Sequence, residues 1–519
     1  MNKLIIKYLV DFLEFIKKPI VRKISFIILG ITTTAWFLIR VIPKPQRATY
    51  PCMRASAPIM SAFVIYLITL FGSISAYKVS KSYFAKARYV YALLFLLIAV
   101  FCSALFFFGN PERVYAQTIN GFIIERNTPI GEAKGIFPGR VAWAHNPKAA
   151  NWDGKTGFWW EDKFNPQNET NKLLTNTLIT LTGQKSESKA WTALFKFFNT
   201  TKNRGGKGYQ SNEKIAIKIN QNNTYSHENN SEINTSPQML FALLNSLVKE
   251  AGVPQKNIIV FDASRFITDN VFDKCHPTFP DVQFVDNVGG NGRVKSEYVD
   301  NAIPYSVDNG KVAKGLTTVV TEADYLINMA ILKGHVGGGV TLCGKNYYGA
   351  TSIFNNWRLN AHNNFSADKG GKLRYLTFVD FLGHKDLGQK TVLYLIDGLY
   401  GHKFVDKVPQ YKWAMAPFNN SWPNSLLASQ DPIAIDAVGV DFLINEFPDA
   451  PDLKDCDQYL KEAALANNPP SGTHYDPERD GSGLQSLGVF EHWNNASDKQ
   501  YSRNLKTGKG IELIYKKIN

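Results

Sequence analysis

The sequence predicts an α/β domain with a mostly parallel sheet flanked by helices, preceded by a bundle of three transmembrane helices. Three observations predict it. Apolar runs of roughly membrane-spanning length are confined to the first 110 residues. After them, short β-branched runs alternate with helical ones. Those β-branched runs are almost continuously apolar, as strands covered on both faces must be.

The first element is the membrane region, residues 1–111. Residues 24–42 (ISFIILGITTTAWFLIRVI), 55–77 and 89–109 each approach the length needed to cross a bilayer core. Tyr and Trp lie toward the ends of the runs, as interfacial anchors do. A cleaved signal peptide does not account for three runs, and no small-residue cleavage site follows the first. Residues 1–110 hold 14 Lys/Arg against 2 Asp/Glu, while the remainder holds 44 against 42. Of the net charge of +14, +12 therefore belongs to the membrane region and +2 to the remainder, and the large domain has no basic footprint for nucleic acid. Ten cations lie before the first run and between the second and third, against four from Arg40, at the end of the first run, to Arg54, before the second. The positive-inside rule then places the N-terminus in the cytoplasm and the chain after residue 110 outside it. A multi-pass protein of a bacterial inner membrane is expected, its large domain on the periplasmic side and the lipid bilayer its first partner. Residues 3–18 have the apolar spacing of an interfacial helix.

The strands follow in order within an extracytoplasmic domain at 112–519. They are read at 139–147 (GRVAWAHNP), 213–222 (EKIAIKINQN), 257–264 (NIIVFDAS), 282–287 (VQFVDN), 323–332 (ADYLINMAIL) and 391–398 (TVLYLIDG). Residues 236–253 form a helix, with a Ser cap, leucines at helical spacing and a closing glycine. Several strands end in polar groups: His145, then Lys218 and Asn220, then Asp262, then Lys333 and His335, and finally Asp397. In open α/β sheets ligands bind outside the carboxyl ends of the strands, so these residues are expected to share a site. Near the end, ASQDPIAIDAVGVDFL (428–443) offers Asp431 as a helix cap before Pro432 and buries Asp436 among apolar neighbours.

Four ordered motifs, EKIAIKIN, ADYLINMAILKGHVGGGVTLCGKNYYG, LYLIDGLYG and ASQDPIAIDAVGVDF, are similar to domain-of-unknown-function family 362. The resemblance is strongest over about 210–445, and a C-terminal extension, 446–519, follows. The N-terminal spans resemble an extension of a membrane-bound branch. The resemblance implies an α/β domain and no particular reaction. Some relatives are fused to ferredoxin-like cysteine modules, and the domain is distantly similar, at fold level, to nickel-pincer lactate racemases. This chain has no such cysteine module. Its large domain carries only Cys275, Cys343 and Cys456, with no CxxC motif and no disulfide framework.

The glycine-rich stretch 332–350 (LKGHVGGGVTLCGKNYYGA) carries the sharpest expectation. Gly337, Gly338 and Gly339 would let backbone N–H groups form an anion-binding concavity. Lys333, His335 and Lys345 would add charge, and Lys345 and Asn346 would sit where a helix begins. If the domain is an enzyme, His335 is the proton carrier, with Lys333 beside it and Asp397 or Asp436 orienting it. Alternatively His145, Asp262, His335 and Asp397 could hold a transition metal. Asp476, Glu478, Asp480 and Ser482 match the start of a calcium loop, although Leu487 stands where the bidentate glutamate should be. The leading expectation is a membrane-anchored extracytoplasmic enzyme acting on an anionic small or envelope-derived molecule. A non-catalytic subunit or assembly factor with membrane-protein partners, and a redox or metal-handling protein, are the alternatives.

Overall fold

In the computed structural model the chain divides into two units, Met1–Glu125 and Arg126–Asn519. The structure describes 126–519 except 308–314, 353–374, 449, 451–452 and 454–455, together with parts of 31–39 and 75–99. Among the described residues no helix is long and apolar enough to cross a membrane. The three predicted spans, and the predicted interfacial helix at 3–18, lie mostly or wholly outside those residues.

The second unit is organised by a ten-stranded sheet. In chain order its strands are β1 (Arg140–His145), β2 (Ile215–Lys218), β3 (Ile258–Asp262), β4 (Gln283–Asp286), β5 (Val294–Lys295), β6 (Tyr325–His335), β7 (Gly339–Val340), β8 (Thr391–His402), β9 (Ser425–Ser429) and β10 (Glu512–Lys517). Across the sheet they run β10-β1-β9-β8-β6-β2-β3-β4-β5, with β7 folded back on β6. On this path only β9 runs against its neighbours. A mostly parallel sheet flanked by helices is thus the fold. The tail beyond 446 supplies β10, an edge strand of the same sheet.

Near-continuous burial of the central strands follows from helices on both faces. Ile215 and Ile217 of β2 pack with α1 (Gln167–Thr182), α2 (Glu187–Thr201), α3 (Pro237–Lys249) and α4 (Asp269–Cys275). Ala216, one residue out of phase, joins the opposite core with α5 (Cys343–Asn346), α6 (Thr377–Gly383), α7 (Pro432–Glu446) and α8 (Asp457–Ala464). The helix starts obey local chemistry. Ser236 accepts from the Met239 N–H ahead of α3, and Asp431 from the Ile433 and Ala434 N–H groups ahead of α7, each with proline at the first helical position. The predicted strands occur where expected, but β6 runs three residues further than its apolar pattern, so Lys333 and His335 lie within it. β8 likewise extends to His402.

Candidate functional site

The parallel strands deliver their carboxyl ends to one edge, and a cavity of about 330 Å³ opens there beside the ends of β2, β3 and β6. Lys218 is the last residue of β2, and strand alternation turns it to the α5 side of the sheet. Its ammonium lies 3.1 Å from Asp262 Oδ2, donates to Asn346 Oδ1 at 3.2 Å, and donates to the Ile219 carbonyl. Asp262 also accepts from the Gln221 backbone N–H at 2.9 Å and from Ser264. The pair is almost fully buried, so desolvation lowers the Lys218 pKa and the attraction of Asp262 opposes it. Gly349 makes this geometry possible, since a Cβ there would lie 2.5 Å from Lys218 Nζ and 2.6 Å from Asp262 Oδ1.

Two further lysines are buried nearby. Lys333 donates to Asn222 Oδ1 and to the Ile233 carbonyl, both at 2.7 Å. Burial pushes its pKa down to about 7, against the pull of Glu232, Asp406 and Asp262. Lys345, on α5, lines the cavity and donates to the Gly337 carbonyl. Burial, reinforced by the charge of Lys333, holds its pKa well below the ordinary lysine value. His335 closes β6 and lines the same cavity. Its Nδ1 accepts the Gly337 N–H at 2.7 Å, which assigns the ring proton to Nε2.

The structure brings together Lys218, Asn220, Asp262, His335, Lys345 and Asn346 on one cavity wall, with Lys333 behind Asn222. Other expected members lie elsewhere. The cavity wall does not include Gly337, Gly338 or Gly339. Gly338 and Gly339 adopt φ of +89° and +82° in the tight return from β6 to β7. The N-terminus of α5 is occupied by Asp436, which accepts from the Cys343 and Gly344 N–H groups at 2.8 Å each and from Tyr459 OH at 2.9 Å. Asp436 therefore acts as a buried cap on α5. Asp397 accepts from the Ser236 and Leu399 N–H groups and ties β8 to the start of α3. Burial raises both carboxyls to about 6.

His145 sits on β1, five strand positions from β3, a separation of roughly 24 Å at normal strand spacing. It pairs with Tyr515 OH at 3.1 Å, and burial followed by repulsion from Lys517 lowers its pKa to about 4. In the 476–482 turn, Asp476 accepts the Asp480 and Gly481 N–H groups, Asp480 accepts that of Ser482, and Glu478 accepts that of Lys385. Among the described residues no group of three or more His, Cys, Asp or Glu side chains is placed to hold a metal ion. Cys275, Cys343 and Cys456 are buried and free.

Sequence reasoning missed Arg265, Thr341 and Asp406 on the cavity wall. Arg265 donates through Nε to the Asn222 carbonyl at 2.8 Å and lies over the Tyr225 ring. Its signal was its place three residues beyond Asp262, in the loop after β3. Asp406 comes from the loop after β8 and has no local signature.

Residues 215–441 match the family model described as Domain of unknown function (DUF362). No curated protein and no solved structure matches the chain. The matched stretch starts at the first residue of β2 and ends within α7. It contains the whole cavity wall and all three buried lysines, and it excludes His145 and the 476–482 turn.

Proposed function

We propose that the large domain is an enzyme acting on a small anionic molecule, bound in the cavity beside β2, β3 and β6. One observation carries this reading. Two buried lysines from separate elements, Lys218 and Lys345, 1% and 6% exposed, line one small cavity, and a third, Lys333, 0% exposed, lies behind Asn222 of its wall. Burying a cation is costly, and a core gains nothing from three of them in one place. An arriving carboxylate, phosphate or sulfate would add negative charge beside these cations, of which Lys218 already shares Asp262. Arg265 adds a further cation on the same wall. A lysine that titrates near neutrality, as Lys333 does, can hold or release a proton under working conditions. Perturbed amines in a polar cavity favour turnover over passive binding.

The same reading places this domain outside the cytoplasm, held by residues 1–110 in a bacterial inner membrane. Its support is the confinement of the apolar runs and of the basic excess to that segment. Carbonate extraction and protease shaving of spheroplasts check it: retention in the membrane fraction and cleavage after residue 126 from the outside are expected. Release by carbonate would overturn it.

The binding test is calorimetry with inorganic phosphate and small carboxylates on the full chain in detergent. Lys345→Met should abolish binding while the melting temperature holds or rises, because a buried cation has been replaced by an apolar chain of similar length. Undiminished binding in both Lys345→Met and Lys333→Met would refute the reading.

A further inference from the structure

A row of side-chain amides whose direction is fixed leads from Asn328, behind the cavity, to Asn346 and Asn220 on its wall. Asn328 donates to the Cys343 carbonyl at 3.0 Å, so its Oδ1 is the atom that accepts from Asn346 Nδ2, at 2.8 Å. Asn346 Nδ2 also donates to the Met329 carbonyl, which leaves Asn346 Oδ1 to accept from Lys218 and from Asn220 Nδ2 at 3.0 Å. Each amide thereby sets the orientation of the next, and the row ends at Asn220 Oδ1. That oxygen is buried and has no hydrogen-bond partner among the described residues. Thr341 Oγ1 is in the same condition. Asn220 and Thr341 are 3% and 2% exposed, and both line the cavity.

A buried acceptor without a donor is a standing cost unless a ligand meets it. Asn220 Oδ1 can only accept, so the ligand must bring a donor to it. An ammonium is a poor candidate, because Lys218, Lys345 and Arg265 line the same wall. A neutral hydroxyl meets the requirement, and a cavity of about 330 Å³ has room for one small molecule. We propose that the ligand is a hydroxylated organic anion, a hydroxy acid or sugar acid, whose anionic group faces the cations while its hydroxyl groups donate to Asn220 Oδ1 and exchange hydrogen bonds with Thr341. This rests on the anion-site reading above and names the substrate class of that site.

Isothermal titration of the full chain in detergent tests it with matched pairs: glycerate against propionate, gluconate against hexanoate, glucuronate against tetrahydropyran-2-carboxylate, with inorganic phosphate as reference. At least one hydroxylated anion should bind about tenfold or more tighter than its deoxygenated counterpart, the penalty of leaving buried polar groups unmet. Thr341→Val should shrink that preference several-fold without erasing it, since Asn220 Oδ1 remains, while the deoxygenated partner still binds, which loss of folding would not allow. If no hydroxylated anion outbinds its counterpart while phosphate or a simple carboxylate still binds, the hydroxyl inference fails and the anion site stands. If no probe binds at all, both fail together.

Discussion

Asp436 separates a structural from a chemical role most cleanly. Its carboxylate holds three donors, the Cys343 and Gly344 N–H groups at 2.8 Å and Tyr459 OH at 2.9 Å, and it is 0% exposed. Asp436→Ala leaves all three donors buried and unmet. At roughly 1–3 kcal/mol for each orphaned donor, about 6 kcal/mol in all, less about 3 kcal/mol of relief from no longer burying a carboxylate whose pKa is raised from 3.8 to about 6, the net cost is about 3 kcal/mol. Asp436→Asn keeps one accepting oxygen but turns an NH2 toward a donor, so about half that loss is expected. The pH response has a definite sign. Burial raises the folded-state pKa to about 6, above the ordinary 3.8. This group's contribution is therefore fully present below the ordinary value and is lost as pH rises through about 6. Asp436→Asn should remove that component. Urea unfolding of the full chain in detergent, followed by tryptophan fluorescence between pH 4 and 8, measures both effects. A variant Asp436→Ala with near wild-type stability but no anion binding would refute the capping argument and return Asp436 to the chemistry.

Three further outcomes are expected. Anion affinity should fall as pH rises through about 7, because Lys333 loses its proton there, and Lys333→Met should flatten the profile; titrations at pH 6 and 8 decide it. Gly349→Ala should displace the Lys218–Asp262 pair, costing about 1–3 kcal/mol by overpacking and weakening anion binding, as calorimetry and melting curves would show. His492 lies 2.5 Å from Asp441. Burial opposes its charge, but Asp441 overrides it and lifts the pKa to about 10. The stability it contributes is thus complete below pH 6.5 and is lost as pH rises through about 10. His492→Phe should cost about 3–5 kcal/mol by leaving the buried Asp441 carboxylate without its imidazolium, with only the Trp493 N–H and Tyr501 OH still donating to it, a loss readable as an earlier urea midpoint.

Much of the fold was legible in the residues. Ile215–Lys218, Ile258–Asp262 and Thr391–Ile396 announce themselves because β-branched runs of this length have few other uses in a globular domain. The caps at Ser236 and Asp431 were equally local, each set by one side chain and the N–H groups two or three residues on. The reading was poorer where a residue's partner is distant in the chain. Asp436 was expected beside His335, but its donors lie 92 and 93 residues away, at the start of a four-residue helix. The glycines were expected to open amides to a ligand, yet Gly337 spends its N–H on His335 and its carbonyl on Lys345.

The sequence by itself determined the alternation of strands and helices, the parallel bias of the sheet, and the fact that Lys218, Asp262 and His335 stand at strand ends. Periodicity and end chemistry are properties of neighbours along the chain. Only the tertiary structure decided which strands are adjacent. Placing β2 between β6 and β3 sets Lys218 against Asp262 and Asn346, while the same strand order carries His145 to the far side of the sheet. Strand order is fixed by packing across the whole domain, through pairings between residues more than a hundred positions apart, and no local pattern encodes it.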